Sequence, residues 1–135
     1  MNINISDTRN IEKQQIIDLY KANKWSSAEK PDKLYNALIN SHSLISAWID
    51  DRLVGLGNAI SDGHLVVYYP HLLVHPDFHG KGIGGQIMEK MHEIYGDYHM
   101  QMLTADGEAI HFYEKNGFSR AGKTEPMWKY SGNEH

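Results

Sequence analysis

Residues 73–85 read Leu-Val-His-Pro-Asp-Phe-His-Gly-Lys-Gly-Ile-Gly-Gly. An apolar run ends at a proline, passes through a short turn and opens into four glycines: Gly80, Gly82, Gly84 and Gly85. An amphipathic stretch follows at once, with Ile83, Ile87, Met88, Met91, Ile94 and Tyr95 near one helical face. A strand that feeds a glycine loop at a helix N-terminus is a cradle for an anion. Glycine lets the backbone approach closely, and the first N–H groups of the helix point at the ligand. A second segment, residues 109–118, reads Ala-Ile-His-Phe-Tyr-Glu-Lys-Asn-Gly-Phe. It follows the loop by about 25 residues, the length of one helix and one strand. His71, His75 and His79 are spaced by four, which on a helix would suggest a metal. Here they fall on a strand and its turn, so no metal site is expected.

The Val-His-Pro-x-x-x-Gly-x-Gly-x-Gly spacing of residues 74–84 and the Ala-x-x-Phe-Tyr-x-x-x-Gly-Phe pattern of 109–118 resemble the GCN5-related N-acetyltransferases (GNAT), in particular small bacterial members. The resemblance implies that the loop formed by His79, Gly80, Lys81, Gly82, Ile83, Gly84 and Gly85 holds the pyrophosphate of acetyl-CoA. Lys81 reads equally well as a solvated loop lysine. The resemblance also implies that the strand at Leu72, Leu73 and Val74 splays from its neighbour. Its exposed backbone groups then bind the pantetheine arm and polarise the acyl carbonyl. Tyr113, beside Phe112, is implied to stand near the thioester sulfur. When an amine attacks, coenzyme A leaves as a thiolate, and a phenol within reach can stabilise or protonate it. One position departs from the family. Before the first glycine, where Gln or Arg is usual, stands His79, which still offers an N–H donor.

Asp106 lies three positions before Ala109, where the family often has an Asn that contacts the pantetheine arm. Its plainest reading is an N-cap for the following helix. A cofactor contact, or acceptance of the amine's proton, is a second role. The general base stays open. In relatives it often lies on the long strand, which makes Tyr68 and His71 the candidates. A bulge would swap which side chains face the acceptor, so strand parity does not choose between them. Tyr20, Trp25 and Tyr35 fall where the family walls its acceptor pocket. Taken singly, each ring reads more simply as packing of helices on the sheet.

Gly80, Gly82 and Gly85 also match G-x-G-x-x-G, with Asp106 near the acidic position of a dinucleotide fold. That reading fails because the first glycine should directly follow the strand, and Gly80 comes six positions after Val74. A phosphate-binding P-loop fails too, since no Gly-Lys-Ser/Thr sits five residues after Gly80.

Elements must position these residues. The pattern predicts a strand at 2–6, a helix from a cap at Asp7 or Thr8 to about Lys24, and a break at Ser26, Ser27 and Pro31. A second helix runs to about Ser41 with Pro31 in its first turn. Strands at 44–49 and 53–60 form a hairpin through Asp50-Asp51-Arg52, and Asp62-Gly63 turns into a long strand, 64–75. Then come a helix at 83–95, a strand at 98–104, a helix at 108–116, a strand at 118–122 and a last strand near 127–130. Residues 131–135 read as a frayed tail.

The chain has 135 residues, 41% apolar and 22% charged, with a net charge of −4. This suits a single globular domain, 1–135, large enough to bury roughly two-thirds of its unfolded surface. The mild acidity argues against a nucleic-acid partner. There is no run of membrane-span length and no signal segment, so a cytoplasmic location is the default. Cysteine is absent, which excludes disulfides, thiolate metal sites and a cysteine acyl-enzyme.

The resulting expectation is an α/β GNAT domain with a mixed, mostly antiparallel sheet flanked by about four helices. It would move acetyl from acetyl-CoA to a primary amine of a small molecule by direct attack in a ternary complex. Neither metal nor membrane is expected, and a homodimer is left open. Two alternatives stand beside it: the same chemistry on a protein or peptide amine, and a non-catalytic acyl-CoA sensor. An open acidic groove would favour the first, and no thiol release with any amine would favour the second.

Overall fold

The structure is a computed structural model that describes residues 2–132. Its elements are β1 (Asn4–Ser6), α1 (Lys13–Ala22), α2 (Pro31–Ile39), β2 (Ser43–Ile49), β3 (Arg52–Ser61), β4 (Val66–Tyr68), β5 (Leu72–Val74), α3 (Ile83–Tyr95), β6 (Met100–Met102) and α4 (Ala109–Lys115). Short 3-10 turns lie at Ser26–Glu29 and Pro76–Phe78. The sheet runs β1-β2-β3-β4-β6, with β5 also on β3. All pairs are antiparallel except the parallel pair β4–β6. This is the mixed, mostly antiparallel sheet expected.

The sheet is covered on both faces. One core packs Ile16, Leu19 and Tyr20 of α1 and Leu34 and Leu38 of α2 over Leu44, Leu56 and Leu73. The other packs Ile83, Ile87, Met88 and Met91 of α3 over Ile45, Ala47, Val54 and Val67. Ile94, expected on the same face, is 42% exposed. Two glycines set how closely α3 lies on the sheet. A Cβ on Gly55 would sit 3.1 Å from Ile83 Cγ2, and one on Gly57 only 2.9 Å from Ile87 Cγ2. The start of α3 is thereby pressed against the middle of β3, next to β5.

The long strand expected at 64–75 is broken. Its first residues form a turn in which Asp62 Oδ1 accepts the N–H groups of His64, Leu65 and Val66. Its middle is a bulge. β4 pairs Tyr68 with Ile60, and β5 pairs Leu72 with Gly57, so Tyr69, Pro70 and His71 face only Asn58 and Ala59. Pro70 has no N–H for the ladder, which is why the break falls there.

Other expectations shift. α1 starts at Lys13, not at Asp7 or Thr8, and no side chain caps it. Thr8 instead closes a local turn, accepting the Asn10 N–H. The strands expected at 118–122 and 127–130 do not form. Phe118 packs back on the Tyr69 and Tyr113 rings. Ala121 to Thr124 then makes a hydrogen-bonded turn, with Gly122 at φ +65°. Residues 119–131 are exposed, Met127, Trp128 and Tyr130 among them. The segment ends beside the first 3-10 turn, where Tyr130 Oη meets Ser26 Oγ at 3.2 Å and Lys30 Nζ reaches Ser131 Oγ. Residues 133–135 of the expected frayed tail lie outside the described residues. Among the described residues, no helix is long and apolar enough to cross a membrane.

Candidate active site

The glycine loop bends twice into the left-handed region, with Gly80 and Gly82 both at φ +78°. α3 then starts at Ile83 with no side-chain cap. Its first helical bond runs from Gln86 N to Gly82 O, so the N–H groups of Ile83, Gly84 and Gly85 have no acceptor within the helix. A Cβ at Gly80, Gly82 or Gly85 would meet nothing within 4 Å. The loop is thus an open, donor-rich rim at a helix N-terminus, which suits a pyrophosphate. Lys81 is exposed on that rim.

β5 supplies the second part. Its hydrogen-bonded pairs with β3 include His75 N to Val54 O and Asn58 N to His71 O. By the antiparallel alternation Leu73 also bonds to β3, whereas Leu72 and Val74 turn their N–H and C=O groups to the opposite edge. On that edge β6 pairs with β4 only as far as Tyr69 N to Met102 O, and among the described residues β5 has no strand partner there. A gap therefore opens between β5 and the chain after β6. The backbone of Leu72 and Val74 faces it, and that of Leu73 does not. One of these groups is engaged: His79 Nε2 lies 2.8 Å from the Val74 carbonyl oxygen and donates to it.

α4 supplies the third part. Phe112 contacts Gly84, since a Cβ there would lie 3.2 Å from Phe112 Cζ. Tyr113 stacks edge-on against Phe112 and Phe118, at 5.1 and 5.9 Å between ring centroids. Burial pushes its phenol up to about 12, so it is protonated at neutral pH. Among the described residues its hydroxyl has no hydrogen-bond partner. Asp106 does not cap α4. That helix starts at Ala109 without a side-chain cap, and it is the Asp106 carbonyl that accepts the Ala109 N–H. The Asp106 side chain is exposed.

The bulge decides the faces. Val67, Tyr69 and Leu72 pack on the α3 side. The extra residue therefore leaves both Tyr68 and His71 on the α1–α2 side despite their odd spacing. His71 Nδ1 lies 2.8 Å from Tyr20 Oη, and Trp25 packs edge-on against both rings, 5.1 Å from His71 and 5.6 Å from Tyr20. Tyr68 is 43% exposed. Tyr35 stands apart from this cluster, under Lys13 Nζ at 5.8 Å. The three histidines go to three different places: His71 to Tyr20, His75 to the Asp77 N–H, His79 to Val74.

Sequence reasoning missed Asn58. Its side-chain oxygen accepts the His71 N–H, and its Nδ2 donates to Ser41 Oγ, which in turn donates to Ala37 O. Asn58 is 4% exposed. An Asn inside an apolar strand was the available signal, because a buried amide needs partners. A polar groove lined by His92, Tyr98, His99, Asn116 and Ser119 lies at the other end of α3, away from the glycine loop.

Comparison with known proteins gives a consistent picture. Residues 40–120 match the family described as "Acetyltransferase (GNAT) domain". An uncharacterized N-acetyltransferase, ycf52, of Porphyra purpurea is 27% identical over 87% of this chain and 70% of its own length. A GNAT-family acetyltransferase of Streptococcus pneumoniae superposes with a TM-score of 0.81 at 25% identity, covering 96% of this chain and 99% of that one. The PaiA N-acetyltransferase of Thermoplasma acidophilum, solved with coenzyme A, shares the fold at a TM-score of 0.72 and 20% identity, over 88% of this chain and 91% of its own.

Proposed function

Because this chain belongs to the GNAT acetyltransferases, whose general reaction moves acetyl from acetyl-CoA to an amine, we propose that its acceptor is the primary amine of a small molecule, attacked directly with both substrates bound. The observation that supports the reading is that Gly84 of the open glycine rim lies against both Val74 of β5 and Phe112 of the helix that carries Tyr113.

In this reading the N–H groups of residues 80–85 bind the pyrophosphate. The outward N–H groups of Leu72 and Val74 hold the arm and stabilise the carbonyl oxygen as charge develops on it. The amine enters from the α1–α2 side, where Tyr68, His71 and Trp25 line the approach and Tyr20 lies buried behind His71. The amine attacks in its neutral form, having lost its ammonium proton to water; as the new N–C bond forms, the C–S bond breaks, the electron pair leaves with sulfur and the nitrogen sheds its second proton to water. Tyr113 donates its O–H to that sulfur. With a phenol near 12 and a thiol near 8.5, full transfer would run uphill, so Tyr113 stabilises the thiolate by a hydrogen bond rather than ending as tyrosinate. The absence of cysteine leaves no thiol to carry the acetyl group and supports direct attack. The absence of a basic surface balance, at a net charge of −4, suits a cationic amine.

Release of coenzyme A thiol with a panel of small amines, polyamines and peptides tests this. Small amines are expected to drive release. Release with peptides alone would move the acceptor to a protein. Acetyl-CoA binding without release by any amine would leave a sensor.

A further inference from the structure

We propose that Tyr20 is a positioning residue that fixes His71 in the tautomer with its hydrogen on Nε2, so that His71 acts as an N–H donor and not as the base that deprotonates the amine. The proposal rests on the acetyl-transfer reading for its kinetic meaning, but its physical content is independent of it.

Tyr20 is fully buried, with 0% of its surface exposed. Among the described residues its hydroxyl has one hydrogen-bond partner, His71 Nδ1 at 2.8 Å. A buried O–H with a single acceptor in reach puts its proton on that bond, because turning it elsewhere would strand a donor in an apolar wall. Tyr20 belongs to the apolar core that includes Ile16, Leu19, Ala28 and Leu73, with Trp25 packed against it. Burial also keeps the phenol from ionising, its pKa being raised well above the ordinary value. Nδ1 is therefore the acceptor, and a neutral imidazole carries its one hydrogen on the other nitrogen.

The ring cannot easily leave this arrangement. The His71 backbone is clamped by Asn58, which accepts its N–H and donates to its C=O. Asn58 is held in turn by Ser41 at the end of α2. Trp25 packs edge-on against both rings. To take up a proton at Nδ1, His71 would have to displace the Tyr20 O–H, and at Nε2 a hydrogen is already present. This is the logic by which a second hydrogen bond sets which nitrogen of a histidine is available for chemistry.

Two-bond proton–nitrogen correlation spectra of histidine-labelled protein at pH 8 test the tautomer directly, with His71 assigned by its loss in His71→Gln. The expected result is a protonated-type Nε2 and an acceptor-type Nδ1. In Tyr20→Phe, which keeps the ring and removes the hydroxyl, the two shifts are expected to move toward each other as tautomers mix. An Nδ1–H tautomer in the unaltered protein, or unmoved shifts in Tyr20→Phe, overturns the proposal. Kinetics supplies the second arm, on an acceptor found by thiol release. His71→Gln keeps an N–H donor but no base, and is expected to turn over at least tenfold faster than His71→Ala. A base is worth about 10²–10⁴-fold, so Gln and Ala variants equally impaired by 10² or more would make His71 the base and overturn the proposal. An unimpaired Ala variant would overturn it as well. If no amine releases thiol, the acetyl-transfer reading fails while the spectra still decide the tautomer.

Discussion

Gly84 and Phe112 touch: a methyl group placed on Gly84 would come within 3.2 Å of Phe112 Cζ. The glycine rim and the tyrosine helix are thus in contact, and a side chain at residue 84 would press on the Phe112 ring. Gly84→Asp is expected to abolish acetyl-CoA binding, since it adds both a clash with Phe112 and a carboxylate facing the pyrophosphate. Gly82→Asp should do the same, through the charge and through strain at φ +78°. Calorimetric titration checks both. Unchanged affinity in either variant would move the cofactor elsewhere.

Tyr113→Phe keeps a ring against Phe112 and Phe118 and removes only the hydroxyl. Single-turnover rates are expected to fall about 10²–10³-fold, the range for losing one donor to developing charge. Acetyl-CoA affinity should change little. Wild-type single-turnover rates would make Tyr113 a packing residue only.

Buried phenols make the fold sensitive to alkali. Burial raises Tyr113 to about 12 and raises Tyr20 further. Below about pH 10 both the folded and unfolded chains keep these protons. Above it the unfolded chain ionises first, so it binds fewer protons and stability falls as pH rises, by up to about 1.4 kcal/mol per pH unit for each protected phenol. Urea midpoints at pH 8, 10 and 11 should decline across that window. Tyr113→Phe should decline less steeply than the unaltered chain.

Gly57→Ala tests the close seating of α3. The added methyl would lie 2.9 Å from Ile87 Cγ2 and 3.3 Å from Leu72 Cδ1. Overpacking of this kind typically costs about 1–3 kcal/mol. A lowered urea midpoint is expected, together with weaker acetyl-CoA binding, because Leu72 begins the strand that faces the gap.

The site's backbone parts were legible because they depend on residue types with few alternatives. Glycines at 80, 82 and 84 and the run at 109–118 each required a particular backbone or packing role. The strand ends of the C-terminal segment were not legible. The strand expected near 127–130 has apolar and aromatic residues to offer a sheet, yet Trp128 and Tyr130 stack on each other at 4.5 Å outside it. Nor could the sequence place His71 and Tyr68 on one face. That depends on the bulge at Pro70, and the proline itself was the overlooked sign. Of the two readings open for Tyr20, pocket wall or packing of a helix on the sheet, burial favours packing, and its bond to His71 joins residues 51 positions apart, which no local pattern carries.

Calorimetry of acetyl-CoA and NADH against the same protein tests the central claim most directly. The open N–H rim and the outward edge of β5 should bind acetyl-CoA. At 100 times its dissociation constant the ligand should stabilise the fold by roughly 2.7 kcal/mol. NADH should show no comparable binding. No binding of acetyl-CoA at millimolar concentration, or tighter binding of NADH, would contradict the account.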